Sequence, residues 1–230
     1  MKISVVMPVL DEAAGIAAAL AALAPLRQAG HELIVADGGS SDGTPALAAA
    51  LADRVIAAPR GRARQMNAGA AAASGELLLF LHADTRLPPQ ADALLRQALA
   101  RGAHWGRFDV RIVGEGRGGS AMFPVIATLM NLRSRLTGIA TGDQAIFVRR
   151  ALFGQLRGYA DQPLMEDVEL CRRLKALPGA GRPACLRERV ATSGRRWQKH
   201  GVWRTILLMW LLRWRYWRGD SPQALARLYR

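Results

Sequence analysis

The sequence predicts an α/β fold on a mainly parallel central sheet flanked by helices. Three observations carry this. Short apolar runs alternate with helical stretches over the first 85 residues. The stretches between runs are long enough for right-handed crossovers, which return each strand parallel to the last. Each run is followed by a polar, acid-bearing cluster: Asp11-Glu12, Asp37 to Asp42, and His82 to Asp84. In open α/β sheets ligands bind at the carboxyl ends of the strands, so these clusters are expected to converge in space.

The elements follow in order. Ile3 to Met7 reads as a buried strand ending at Pro8. Ala13 to Leu23 is rich in the strongest helix formers and is closed by Pro25 and Gly30. Leu33 to Ala36 is a second strand, and Thr44 is expected to cap a helix with Pro45 at its first position. Arg54 to Ala57 is a third strand. Arg62 to Ala73 is helical and stops at Ser74-Gly75. Glu76 to Leu81 is the most apolar strand. Beyond it the pattern is less regular. Strands are expected over Arg107 to Val113 and Ala145 to Val148, and helices over Ala121 to Leu136, Glu166 to Leu177 and Val202 to Trp217.

The 230 residues suit one large domain with a short appendage, 1–200 and then a basic helical tail, 201–230. Within the domain, 1–100 and 101–200 are expected to form two halves. Half the residues are hydrophobic and 22% are charged, which excludes a disordered chain. The formal net charge is +14. The excess is concentrated at the end, where eleven basic residues from Leu186 onward meet only Glu188 and Asp220. Such a field favours phosphates, acidic lipids or nucleic acid; a solvated surface is the plain alternative. Cys171 and Cys185 form no CxxC pair and read as reduced thiols in a cytoplasmic protein. Asp11 and Glu12 interrupt the first apolar run, which argues against a secretory signal.

The chemistry-bearing segments begin with Asp37-Gly38-Gly39-Ser40-Ser41-Asp42-Gly43-Thr44. Glycines permit close backbone approach to a ligand, and the following helix N-terminus favours negative charge. A polar turn between strand and helix is the alternative. Glu166, Asp167 and Glu169 open a helix, where acids also suit the dipole.

Taken together, the segments resemble the family 2 glycosyltransferases. Met7-Pro8-Val9-Leu10-Asp11-Glu12 resembles that family's P-x-x-N/D-E start, and Ile34 to Thr44 its VDDGSxDGT segment. Arg64-Gln65-Met66-Asn67-Ala68-Gly69 is similar to its R-N-x-G helix, and Leu81-His82-Ala83-Asp84 to its strand-end D-x-D. Gly142-Asp143-Gln144 with Phe147, Gly158-Tyr159, and Met165-Glu166-Asp167 resemble the acceptor-side segment and its E-D pair; Arg196-Trp197 resembles the later R-W element. The order is the family's, and the pattern is most like a bacterial subgroup with H-A-D-T, M-E-D-V-E-L and S-x-R-R-W elements.

The resemblance implies a GT-A fold, a nucleotide-diphosphate sugar donor with UDP-sugars foremost, and an inverting displacement. It gives the donor to Pro8, Glu12, Asp37, Gly39, Arg64, Asn67, Asp84, Arg196 and Trp197. Asp84 would hold Mg²⁺ or Mn²⁺, whose charge would steady the departing diphosphate. Asp167 would be the general base, with Glu166 beside it. Gly142, Asp143 and Gln144 would lie on the acceptor side. Two positions depart from the pattern: Gly38 replaces a carboxylate, and His82 replaces the first Asp of D-x-D. Arg60, Arg62 and Arg64 are further diphosphate candidates, or exposed arginines. His200 reads as a surface histidine.

Gly114 to Gly119 satisfies G-x-G-x-x-G but lacks the acid a dinucleotide site needs about 20 residues on; a loop over the acceptor cleft is expected instead. The helix from Val202 to Trp217 holds Trp203, Trp210, Trp214 and Trp217. Its apolar heart is far shorter than the ~20 residues that span a bilayer. Trp and Arg suit the headgroup boundary, so the inner face of the cell membrane is one expected surface and a lipid-linked acceptor one expected substrate. Packing on the domain or a dimer contact are the alternatives. A nucleotidyltransferase would want a G-x-G-T-R loop where Pro8 to Glu12 stand. A non-catalytic scaffold would not need Glu166-Asp167. No nucleic-acid recognition motif accompanies the charge, and nucleic acid is not an expected partner.

Overall fold

The computed structural model describes residues 1–114 and 120–229. The Gly-rich stretch expected to loop over the cleft lies, from residue 115 to 119, outside the described residues.

The first half runs β1 (Ile3–Val9), α1 (Ala13–Ala21), α2 (Ala24–Gln28), β2 (Glu32–Asp37), α3 (Thr44–Ala49), β3 (Arg54–Ala57), α4 (Arg62–Ala72) and β4 (Leu77–Phe80). The second half runs β5 (Thr85–Arg86), α5 (Ala91–Ala100), β6 (Trp105–Val113), α6 (Phe123–Thr137), a 3-10 turn (Gly142–Gln144), β7 (Phe147–Arg149), α7 (Arg150–Gln155), α8 (Glu166–Ala176) and β8 (Ala184–Ser193). Then come α9 (Arg195–His200), α10 (Val202–Trp217) and α11 (Pro222–Tyr229).

One sheet has the order β3-β2-β1-β4-β7-β6-β8-β5. The strands from β1 to β4 pair in parallel, as expected. β7 is antiparallel to both its neighbours, β8 is parallel to β6, and β5 is antiparallel to β8. Alternate residues serve opposite faces of the sheet. Val5, Met7, Val35 and Leu79 pack under α1, α3 and α5, while Val6, Ile34, Leu78 and Phe80 pack under α4, α7 and α8.

β1 continues through Pro8 to Val9, beyond its expected end. Leu81 N donates to Val6 O, but Pro8, the next residue on that side, has no N–H to return. The ladder with β4 therefore stops while that with β2 continues to Val9 opposite Asp37. Thr44 is not the cap of α3. Gly43, left-handed at φ 86°, takes that place, and the Thr44 hydroxyl instead donates to Asp42 and accepts from Glu12 N. Several elements were not foreseen. Leu95, Ala98 and Leu99 of α5 bury one helical face. β8 is masked in sequence by the charged run Arg187 to Arg189, which is exposed mid-strand.

α10 and α11 pack on the body. Leu212 and Leu225 are fully buried, against Met165 and Val168 at the start of α8. The tail thus forms a wall beside the Glu166-Asp167 pair.

Candidate active site

The loops after β1 and β2 are built as one unit. Asp37 is 6% exposed and accepts from Gly39 N, Ser40 N and the Ser40 hydroxyl. Asp11 accepts from Ser41 N, and Asp42 accepts from Ala13 N, the first residue of α1. The Thr44 hydroxyl and the Ala13 amide hold Asp42 below the usual carboxylate range. Gln65 donates to both Val9 O and Ala36 O, beneath this unit. A Cβ on Gly38 would stand 3.0 Å from the Gln65 amide, so a side chain there would require Gln65 to give way.

Beyond the end of β4 at Phe80, Asp84 meets the unit through Arg195. One guanidinium nitrogen lies 3.7 Å from Asp84 and 3.6 Å from Glu12. Carboxylates from two separate loops thus share a cation at the strand ends.

Beside it lies a cavity of about 390 Å³. His82, Gly142, Asp143, Glu166 and Asp167 line it together with Arg62, Arg133 and Arg213. Apolar side chains of α6 and α10 complete the wall. Gly142 N donates to Asp167 Oδ2 at 2.8 Å, and Val168 N donates to Oδ1. His82 Nδ1 lies 3.5 Å from Asp143. A Cβ on Gly142 would fall 2.6 Å from the His82 ring, so only glycine fits there.

The cavity perturbs its acids in opposite directions. Burial first, then the neighbouring charge of Asp167, pushes Glu166 above the ordinary glutamate value, with Arg62 opposing. Burial also acts to raise Asp143, but the His82 hydrogen bond and the charges of His82, Arg62 and Arg213 outweigh it and hold Asp143 low. Among the cations, burial works against Arg62, yet Glu166, Asp143 and Asp167 keep it firmly protonated. Burial and the nearby Arg213 push Arg133 down to about 10. Cys171, buried and raised to about 12, supplies no nucleophile.

The structure brings together Glu12, Asp84, His82, Gly142, Asp143, Glu166, Asp167 and Trp197 along this edge and cavity. Other residues expected at the site have different partners. Arg64 pairs with Asp161 in the open. Asn67 clamps Tyr159, donating to its carbonyl and accepting from its N–H. Gln144 is fully buried and donates to Asn131 and Ser134, away from the cavity lining. Arg196 stacks on Tyr229 at 3.6 Å and donates to its carbonyl. Sequence reasoning left Arg133, Arg195 and Arg213 without a role, and held Arg62, beside Arg60, as a diphosphate candidate or an exposed arginine. Adjacency to the Arg196-Trp197 pair was the one signal for Arg195.

Solved structures that superpose on this chain include complexes with UDP and with UDP-glucose. Residues 1–349 of Staphylococcus aureus TarS with UDP superpose with a TM-score of 0.65 at 20% identity, covering 84% of this chain and 60% of that one. Glucosyl-3-phosphoglycerate synthase of Mycobacterium tuberculosis, with Mn²⁺ and UDP-glucose, superposes with a TM-score of 0.58 at 25% identity, covering 82% and 69%. The same enzyme with Mg²⁺ and UDP gives 0.61 at 23% identity, covering 91% and 78%. The fold is therefore GT-A. The sequence model of glycosyl transferase family 2 matches residues 4–156, most of the chain, and the protein belongs to that family. A PGL/p-HBAD biosynthesis glycosyltransferase of Mycobacterium tuberculosis is 32% identical over 169 residues, 68% of this chain. The match spans 62% of that relative's length.

Proposed function

We propose that this protein transfers a sugar from a nucleotide-diphosphate donor, a UDP-sugar foremost, to an acceptor hydroxyl, with inversion. The observation that carries this reading is the Asp167 carboxylate, fixed by Gly142 N in a cavity next to the carboxyl ends of β1, β2 and β4. The UDP bound by the structural relatives supports the choice of nucleotide.

Pro8, Glu12, Asp37 and Gly39 take the nucleoside. A carboxylate has about four acceptor positions. Asp37 already accepts from three donors, so it offers the nucleoside a single further bond. Arg195 and Arg62 flank the diphosphate, where guanidinium suits phosphate oxygens. Asp84, 32% exposed at its side chain, fits the one-carboxylate habit of Mg²⁺ and Mn²⁺, which complete their shells with phosphate oxygens and water. Asp84 would hold such an ion, and bound there it supplies charge neutralisation at the leaving diphosphate.

The acceptor oxygen attacks the anomeric carbon, and its proton passes to Asp167. The bond from that carbon to the diphosphate oxygen breaks, and the diphosphate leaves with the electron pair. Glu166 is held towards its neutral form by burial and by the neighbouring charge of Asp167. The apolar wall keeps water from competing for the sugar.

A thermal-shift panel of UDP-, GDP-, CDP- and dTDP-sugars, each with and without Mn²⁺, tests this. At ~100 times its dissociation constant a donor adds about 2.7 kcal/mol. Metal-dependent stabilisation by one nucleotide class, lost in Asp84→Ala, is the expected result. No response to any donor overturns the reading.

A further inference from the structure

We propose that the exposed apolar faces of α6 and α10 seat on an anionic bilayer, and that the cavity between them takes the anionic head of an amphiphilic acceptor from it. The acceptor role rests on the transferase reading above; the docking face does not.

Val125, Leu129, Leu132 and Leu136 of α6 are 46%, 54%, 51% and 76% exposed. At about 100° per residue they share one narrow face. On α10, Trp203, Leu207, Trp210, Leu211, Trp214 and Trp217 are between 44% and 84% exposed, and they fall within an arc of about 120°. Thr205 and Leu212, on the opposite face, are buried against the body. α10 is therefore apolar on both sides: Leu208, Met209 and Leu212 pack on the body, and the tryptophan face is left outward without a partner among the described residues.

Two residues join these ridges to the site. Leu129 and Trp210 are exposed, and both also line the cavity. The mouth thus lies between two apolar ridges. Arg133 and Arg213, on the same two helices, reach the cavity wall, whereas Asp143, Glu166 and Asp167 come from the 3-10 turn and α8. Arg133 Nε and Nη2 are buried and have no hydrogen-bond partner among the described residues. A desolvated guanidinium left unpaired is costly, and a phosphate or carboxylate entering beside it would satisfy it.

Charge selects the bilayer over a second copy of this chain. The protein carries +14, and Arg204 and Arg218 border the α10 stripe, so a second copy would set arginine against arginine. Anionic lipid meets both the charge and the ridge. Four of the six tryptophans lie in the stripe, the composition of a helix lying in the headgroup plane. No helix among the described residues is long and apolar enough to cross a membrane.

The test uses the full chain with phosphatidylglycerol and phosphatidylcholine vesicles in a sedimentation assay. Binding to phosphatidylglycerol, weakened by salt, is expected. The double variants Leu132→Glu/Leu136→Glu and Leu207→Glu/Trp214→Glu should each weaken it by about tenfold or more, with donor-induced thermal stabilisation unchanged. No vesicle binding, or binding that both variants retain, overturns the docking face. For the cavity, dodecyl phosphate should raise the unfolding temperature, inorganic phosphate should not, and Arg133→Gln should abolish the difference. Equal responses to the two phosphates, or an unaffected Arg133→Gln, overturn the anionic-head assignment. A chain that docks but binds no nucleotide sugar leaves the face standing and overturns the acceptor role; one that binds donor and ignores vesicles overturns this proposal and not the transferase reading.

Discussion

Glu166 and Asp167 are adjacent in sequence but occupy different surroundings. Glu166 is 6% exposed and pushed above its ordinary value, while Asp167 accepts from Gly142 N. Asp167→Asn keeps the acceptor for that N–H but removes the proposed base. Turnover should fall by about 10²- to 10⁴-fold, with donor stabilisation intact; a rate within threefold or so of wild type would remove Asp167 from the chemistry. Glu166 has a stability signature. Its folded-state value is raised above the unfolded value near 4.5, so the folded state holds the extra proton between the two. Stability is then fully present below the unfolded value and is lost as pH rises through the folded one. Glu166→Gln should flatten that slope and raise stability at neutral pH, read by urea unfolding at about pH 5 and about pH 8. An unchanged slope would assign it to other groups.

At the scale of elements, the R-N-x-G helix is held by protein contacts on both its sheet side and its outer side. Gly69 of α4 lies over Val6 of β1, and a Cβ there would stand 2.3 Å from a Val6 methyl carbon. Alanine improves helix propensity by about 1 kcal/mol, but overpacking a core costs about 1–3 kcal/mol. Gly69→Ala should therefore be neutral to destabilising, by up to about 2 kcal/mol in denaturant unfolding; a clear gain would show that α4 can shift off the sheet. Asn67 ties the same helix to Tyr159 by two hydrogen bonds. Asn67→Ala leaves a peptide N–H and a carbonyl unpaired and should cost about 1–3 kcal/mol. Its donor affinity should stay near wild type, because the side chain has protein partners at both ends.

Across the whole molecule, the tail and the body make one site. Leu212 is fully buried between α10 and the start of α8, while Trp210 and Arg213 on either side of it line the cavity. Leu212→Ala should cost about 2–5 kcal/mol and speed hydrogen exchange over 201–229, with transfer falling more than donor binding; equal losses in both would place α10 outside acceptor recognition. The alternation of apolar runs and helices, the parallel first half, and the gathering of Asp37, Glu12 and Asp84 at one sheet edge were legible, because periodicity and turn chemistry act between near neighbours and leave their mark there. Ala91 to Ala100 was legible too and was passed over, whereas β8 was hidden by exposed arginines mid-strand. The partners of individual polar side chains were not legible. Arg64 and Arg62 are two residues apart, yet one pairs with Asp161 at the surface and the other faces the buried acids. Arg195 bridges two carboxylates while Arg196 stacks on the last helix. Nothing local separates such neighbours. A helix rotates each residue by about 100°, and what each arginine meets depends on chain folded in from elsewhere, 33 residues away for Arg196 and 97 for Arg64. Order and element type were therefore written along the chain, and the cation-lined cavity and the outward apolar ridges arose only when distant helices packed.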